Sequence, residues 1–180
     1  MLGVTNPSRP PEKRLRFLPL PSEALAALAD GDASVAEKTL GVALTGYFLT
    51  EEARWVWSYR LGQIENDPAA AEWLTRVVVD DAPQAAVGYA GFHGPPDASG
   101  TVELGYSVDP RWRRRGYARA ILTELLARAA AAPGVRTVRA TIRPDNTASM
   151  ATIAGFGFAA VGEQWDARDG LETIYERPAR

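Results

Sequence analysis

The chain has 180 residues, 46% of them apolar and 23% charged, so one domain with a buried core is expected and wholesale disorder is not. A net charge of −2 argues against bulk attraction to nucleic acid, so any cationic site must be local. With no cysteine, disulfides, zinc thiolates and a thiol nucleophile are excluded, and a single histidine, His93, excludes a multi-histidine metal centre.

Residues 1–12 hold three prolines and read as a mobile tail. They lack the apolar centre of a signal peptide, and no apolar run nears the ~20 residues of a bilayer span, so a cytoplasmic protein is the expectation. Leu15–Leu18 is a short strand stopped at Pro19. "PSEALAALADGD" predicts a helix with Ser22 as N-cap and Gly31 as stop. "DASVAEKTLG" predicts a second, starting at Asp32 or Ser34 and ending at Gly41. "TEEARWVWSYRLGQIENDP" opens with Thr50 and two acids, which favours a third helix, although Trp55, Val56 and Trp57 in a row also suit a strand.

After Pro68 the pattern changes. "EWLTRVVVD", "QAAVGYAGFHG" and "TVELGYSVD" read as three strands joined by "DAP" and "GPPDASG". A helix follows from about Gly116 to Ala130, with Ile121, Leu122, Leu125, Leu126 and Ala129 on one face. "VRTVRATIR" alternates as a strand, and "PDNTASMATIAG" is a short helix capped by Asp145 or Asn146. "FGFAAVGEQWD" and "LETIYER" close the chain as a hairpin through "ARDG". The order predicts a mixed α/β (α+β) fold with one central, mostly antiparallel sheet flanked by helices, forming a single domain over 13–180.

The junction "SVDPRWRRRGYARAILTELL" concentrates cationic charge where a strand gives way to a helix. The first N–H groups of a helix lack internal partners and lie at the positive end of its dipole. Gly116 and the small Ala118 allow close approach, and Arg113, Arg114 and Arg115 add charge-assisted donors, so the turn suits a pyrophosphate. A solvated basic turn is the plainer alternative. No Lys-Ser/Thr follows the glycine, so this is not a Walker A loop, and the dinucleotide fingerprint's three-glycine spacing is missing.

"RRRGYA" matches the pattern Arg/Gln-x-x-Gly-x-Gly/Ala, is preceded by "SVDP", and is followed by an amphipathic helix, "NTAS" and "GFGFAAVG". Over Trp73–Tyr175 the chain resembles the GNAT superfamily of acyl-CoA-dependent N-acetyltransferases. Asn146-x-x-Ser149 with Gly157–Phe158 is most similar to the branch that includes ribosomal-protein N-terminal acetyltransferases. The resemblance implies a mostly helical acceptor-side segment over 13–70 and a coenzyme A core over 71–180, with splayed strands at the coenzyme site. It implies that Arg113–Ala118, Tyr117 included, wraps the pyrophosphate of acetyl-CoA. It also implies that Ser107 and Val108 offer backbone groups to the pantetheine arm and that Asn146 contacts that arm. An amide-rich pantetheine can add to a strand edge as a peptide would.

The implied chemistry is direct attack of an amine on the thioester, which needs a base and donors for the oxyanion. Backbone N–H groups near Val108 are candidate donors. Glu103, in an otherwise apolar strand, is the leading base if desolvation raises its pKa; an outward-facing surface glutamate is the alternative. His93 is either a second base, a partner of Glu103, or a structural residue. Where many GNAT proteins carry a tyrosine acid this chain has Ile153, which leaves Ser149 as the candidate acid or a plain first-turn serine. Tyr106, Trp112 and Tyr117, around the turn, read as packing residues, with adenine stacking as the alternative. Trp55, Trp57 and Tyr59 line an acceptor cleft or pack on the sheet. Asp166, Asp169 and Glu172 attract a cationic amine or, by preference, are solvated.

The function expected is acetyl transfer to a primary amine, on a small molecule or a protein N-terminus, with acetyl-CoA as co-substrate and no metal. An acyl-CoA sensor without turnover is the alternative, and RNA association through the arginine turn a weaker one. No nucleic acid or membrane partner is expected, and look-alikes allow a homodimer.

Overall fold

The computed structural model describes residues 13–180; the tail expected over 1–12 lies outside them. Twelve elements follow the predicted order: β1 (Leu15–Leu18), α1 (Ser22–Asp30), α2 (Ser34–Leu40), α3 (Glu51–Asn66), β2 (Arg76–Asp80), β3 (Ala85–Phe92), β4 (Thr101–Val108), α4 (Tyr117–Ala131), β5 (Thr137–Ile142), α5 (Thr147–Ile153), β6 (Ala159–Asp166) and β7 (Gly170–Pro178). Local chemistry explains most boundaries. Gly31 and Gly41 end α1 and α2 in the left-handed conformation. The Thr50 hydroxyl accepts from Ala53 N–H at the start of α3, settling Trp55–Trp57 as helix. At α1 the expectation fails by one position: Pro21 occupies the cap and Ser22 is the first helical residue, with no side-chain cap. The Asp32 carboxylate accepts from Ser34 N–H, so both candidate residues at α2 take part in its start.

The strands form one seven-stranded sheet in the order β1-β2-β3-β4-β5-β7-β6. All neighbours are antiparallel except β4 and β5, which run parallel because α4 crosses between them. α4 packs its apolar stripe on one face, where Ile121, Leu122, Leu125 and Ala129 meet Val102, Leu104, Val138 and Ala140. α1 and α3 cover the opposite face over β2 and β3, burying Leu25, Leu28, Phe48 and Trp57 against Val77, Val79 and Tyr89. Each sheet face therefore has its own core.

Two packing details shape the site. The β4–β5 ladder covers only Thr101↔Thr137, Val102↔Val138 and Glu103↔Arg139. Beyond Glu103 the strands part: β4 stays paired with β3 to Val108, while β5 stays paired with β7 to Ile142. The segment between α2 and α3 is pinned to the end of β4, where the Thr45 hydroxyl donates to buried Asp109 (2.6 Å) and the Tyr47 and Ser107 hydroxyls bond each other. Among the described residues no helix is long and apolar enough to cross a membrane.

Candidate active site

Where β4 and β5 part, two clefts open. One, of about 710 Å³, runs from the Arg113–Ala118 turn along Val108 and Ser107 to α5. The other, of about 500 Å³, lies between α3 and the β5 and β7 strands, reaching His93, Thr141 and Glu172. Six residues belong to both walls: Glu52, Tyr89, Tyr106, Ser107, Asn146 and Ser149. The clefts therefore meet in a throat beside β4.

Strand phase decides what β4 presents there. His93 N–H donates to Glu103 O (2.8 Å) and Asp109 N–H donates to Val87 O (3.0 Å). Antiparallel bonding alternates residue by residue, so Glu103, Gly105, Ser107 and Asp109 turn their backbone groups toward β3. Leu104, Tyr106 and Val108 turn theirs the other way, into the gap left by β5. The Val108 carbonyl is already taken by Arg113 Nε (2.9 Å), which leaves the N–H groups of Tyr106 and Val108 facing the gap. Ser107 presents its side chain to the cleft, not the backbone groups expected of it.

The turn has the geometry of an anion cradle. Gly116 caps α4 with φ 81° and Arg114 has φ 60°, both left-handed. Such alternation of backbone conformation aims successive N–H groups inward. Gly116 admits no other residue without strain, since a side chain in this region costs roughly 1–2 kcal/mol. The three arginines divide their work. Arg113 folds back on Val108, the Arg115 guanidinium lies 5.1 Å over Trp112, and Arg114 lines the cleft. Tyr117 anchors the helix start, donating to buried Asp80 (2.8 Å), and burial and that carboxylate push its phenol up to about 12.

On the α3 side of β4, Glu103 and His93 are brought together. His93 Nδ1 lies 3.3 Å from Glu103 Oε1, and the Thr141 hydroxyl donates to the same oxygen (2.6 Å). His93 reaches across β4 because Gly105 has no side chain: a Cβ there would stand 2.7 Å from Nε2. The expectation of a raised Glu103 pKa is overturned. Burial pushes it up, the largest single effect, but His93, Thr141 and Arg139 together hold the carboxyl below its ordinary value. It is His93, not Glu103, that lines the cleft.

On the other face, Tyr106 packs against the core with its hydroxyl buried and without a hydrogen-bond partner; the Ser149 and Thr152 hydroxyls are its polar neighbours. Burial pushes that phenol up. Asn146 caps α5 by accepting from Ser149 N–H (3.1 Å), so of the two candidates it is Asn146 and not Asp145 that caps. Asp145 instead pairs with Arg143 (2.6 Å). Ile153, which stands where the resemblance would place a tyrosine acid, is buried.

The second cleft differs from its expected lining. Trp57 is core, and Trp55 and Tyr59 stack together on the outside, with the Arg168 guanidinium 4.2 Å over Trp55. The wall of α3 is Glu52, Val56 and Arg60, one residue per turn. Their i, i+4, i+8 spacing in the sequence carries that signal. Arg60 is buried, bonded to Thr75 and Gln63, and desolvation pulls it down to about 10. Of the three hairpin acids, Glu172 is buried in the cleft against Gln164, Asp169 lines it, and Asp166 accepts the turn N–H groups of Arg168 and Asp169.

Comparison with known proteins adds an independent line. A family model described as an acetyltransferase (GNAT) domain matches residues 14–159. An uncharacterized N-acetyltransferase of Bacillus subtilis, YjdG, is 33% identical over 72 residues, a stretch covering 40% of this chain and 43% of that protein. The ribosomal-protein-S5-alanine acetyltransferase from Vibrio fischeri superposes with a TM-score of 0.63 at 17% identity, over 95% of each chain. RimJ from Mycobacterium smegmatis, in complex with CoA-disulfide, superposes with a TM-score of 0.62 at 22% identity, over 92% of this chain and 81% of that one.

Proposed function

This chain belongs to the GNAT acetyltransferase family, and we propose that it moves an acetyl group from acetyl-CoA to a primary amine by direct attack. The observation that carries the reading is the throat: a cleft with a phosphate cradle at one end and a cleft with a histidine at its side meet where β4 has unpaired N–H groups. A thioester carrier seated on the Arg113–Ala118 turn extends along the free edge of β4, pairing its amides there as a peptide strand would. Its thioester then lies at the throat, and the amine enters between α3 and the β6–β7 hairpin.

The roles follow from placement. His93 takes the proton of the attacking nitrogen, and Glu103 on the opposite ring nitrogen fixes the imidazole and stabilises its cation. Thr141 and Arg139 keep Glu103 ionised for that task. The N–H groups of Tyr106 and Val108 receive the oxyanion as the new C–N bond forms. As the C–S bond breaks the sulfur departs as thiolate, an adequate leaving group, with the Ser149 hydroxyl beside it as a proton source. Asn146 lines the same stretch of the throat through its remaining amide.

The test is thiol release from acetyl-CoA by the purified full chain, with spermidine, kanamycin and an alanine-initiated peptide as amines. Amine-dependent release that falls in His93→Ala supports the reading. Calorimetric binding of acetyl-CoA with no release above hydrolysis for any amine overturns it in favour of an acyl-CoA sensor.

A further inference from the structure

Of the six residues shared by the two clefts, Glu52 alone is charged, and neither cofactor binding nor the proton transfer assigned to His93 uses it. It is the second residue of α3, one turn from Val56 and two from Arg60 on the wall of the acceptor cleft. It stands in the first turn of a sixteen-residue helix. Its charge is felt across the throat, where it pushes both the Tyr89 phenol and the Arg143 guanidinium upward among their lesser influences. Arg143, the cation on the far wall, is already held by Asp145 through both Nε and Nη2. The negative charge of Glu52 therefore remains available at the point where amine and thioester must meet.

Resting on the acetyl-transfer reading, we propose that Glu52 is the acceptor-binding carboxylate, docking the substrate as an ammonium at the throat before His93 removes its proton. The chemical class selected is a primary amine protonated at neutral pH, held by a charge-assisted hydrogen bond. Arrival as a cation concentrates the amine in the cleft, and the proton is lost only beside the base. Glu52 differs from Glu103 in standing at the opening between the clefts, where a substrate reaches it directly.

The experiment is steady-state kinetics of Glu52→Gln and Glu52→Asp with acetyl-CoA and spermidine or the alanine-initiated peptide, alongside calorimetry with CoA. In Glu52→Gln the KM for amine rises about tenfold, the size of one charge-assisted hydrogen bond at a half-open site, while kcat at saturation and CoA affinity hold. Glu52→Asp recovers part of the loss. The wild-type KM rises with added salt, and the Gln variant loses that dependence. An unchanged amine KM in Glu52→Gln overturns the assignment. So does weakened CoA binding, which would place Glu52 on the cofactor, or a shifted acid limb of the pH profile, which would make it the base. Absence of release from the wild-type chain with every amine sinks the acetyl-transfer reading and this assignment with it.

Discussion

Gly105→Ala separates the chemistry from the stability of the scaffold. The added Cβ would stand 2.7 Å from His93 Nε2, whereas ordinary contact begins at 3.4 Å, so the ring must retreat by about 0.7 Å. The contact is with the far end of a side chain 45% exposed, so the ring can swing aside. Gly105 lies outside the left-handed region, so alanine adds no backbone strain, and it narrows the unfolded ensemble by ~0.4–1 kcal/mol. The net change in stability is then within about 0.5 kcal/mol, little more than a degree or two in Tm. Catalysis has no such tolerance: a misplacement near 1 Å costs on the order of 100-fold, so kcat should fall roughly 10- to 100-fold with CoA affinity intact. Gly91→Ala is the contrast, because its Cβ would meet the Leu74 carbonyl at 2.5 Å and backbone cannot swing aside. That variant loses about 1–3 kcal/mol and several degrees of Tm. Thiol-release kinetics and thermal unfolding of both variants decide the matter. A Gly105→Ala enzyme with wild-type kcat would refute the placement of His93 over β4 as the working geometry.

Gly116→Glu sets a carboxylate and a strained φ in the phosphate cradle, so CoA binding disappears by calorimetry while circular dichroism shows a folded protein; retained affinity means the turn is misassigned. Glu103→Gln removes the partner that steadies the imidazolium, so turnover falls and the acid limb of the pH profile moves; an unchanged rate removes Glu103 from the mechanism. Because its folded pKa lies below the ordinary value of 4.5, Glu103 contributes stability that is present above that value and lost as pH falls through the folded one. The Tm gap between wild type and Glu103→Gln therefore closes on acidification below about pH 4.5, and a constant gap contradicts the shift. Tyr106→Phe removes a buried hydroxyl that has no partner, so Tm holds or rises; a loss above about 1 kcal/mol means the hydroxyl is bonded in solution.

Much of the molecule was legible one segment at a time. The glycines at 31, 41 and 116, the Thr50 cap and the alternation of "VRATI" placed most elements correctly, because caps, left-handed turns and strand periodicity are local. The arginine-glycine turn was readable for the same reason, as strand, loop and helix are contiguous. From the sequence, the pairing of Glu103 with His93 is one of several options, since it depends on the register of β3 against β4. The lowered pKa of Glu103 is not legible in the sequence, because the groups that outweigh burial are His93 first, then Thr141 and Arg139, which reach the carboxyl from β3 and β5 only once the strands have assembled.

By itself the sequence determined the order and type of the elements, and the turn where backbone N–H groups gather. Only the tertiary structure decided that β4 and β5 part after Glu103, that Tyr106 and Val108 rather than Ser107 face the gap, and that Glu52 stands where the clefts join. The reason is the range of the forces involved. Helix caps and glycine turns are set by neighbours a few residues away. A strand's hydrogen-bonding phase and the residues facing a cleft are set by partners dozens of residues off, brought together only when both cores have closed on the sheet.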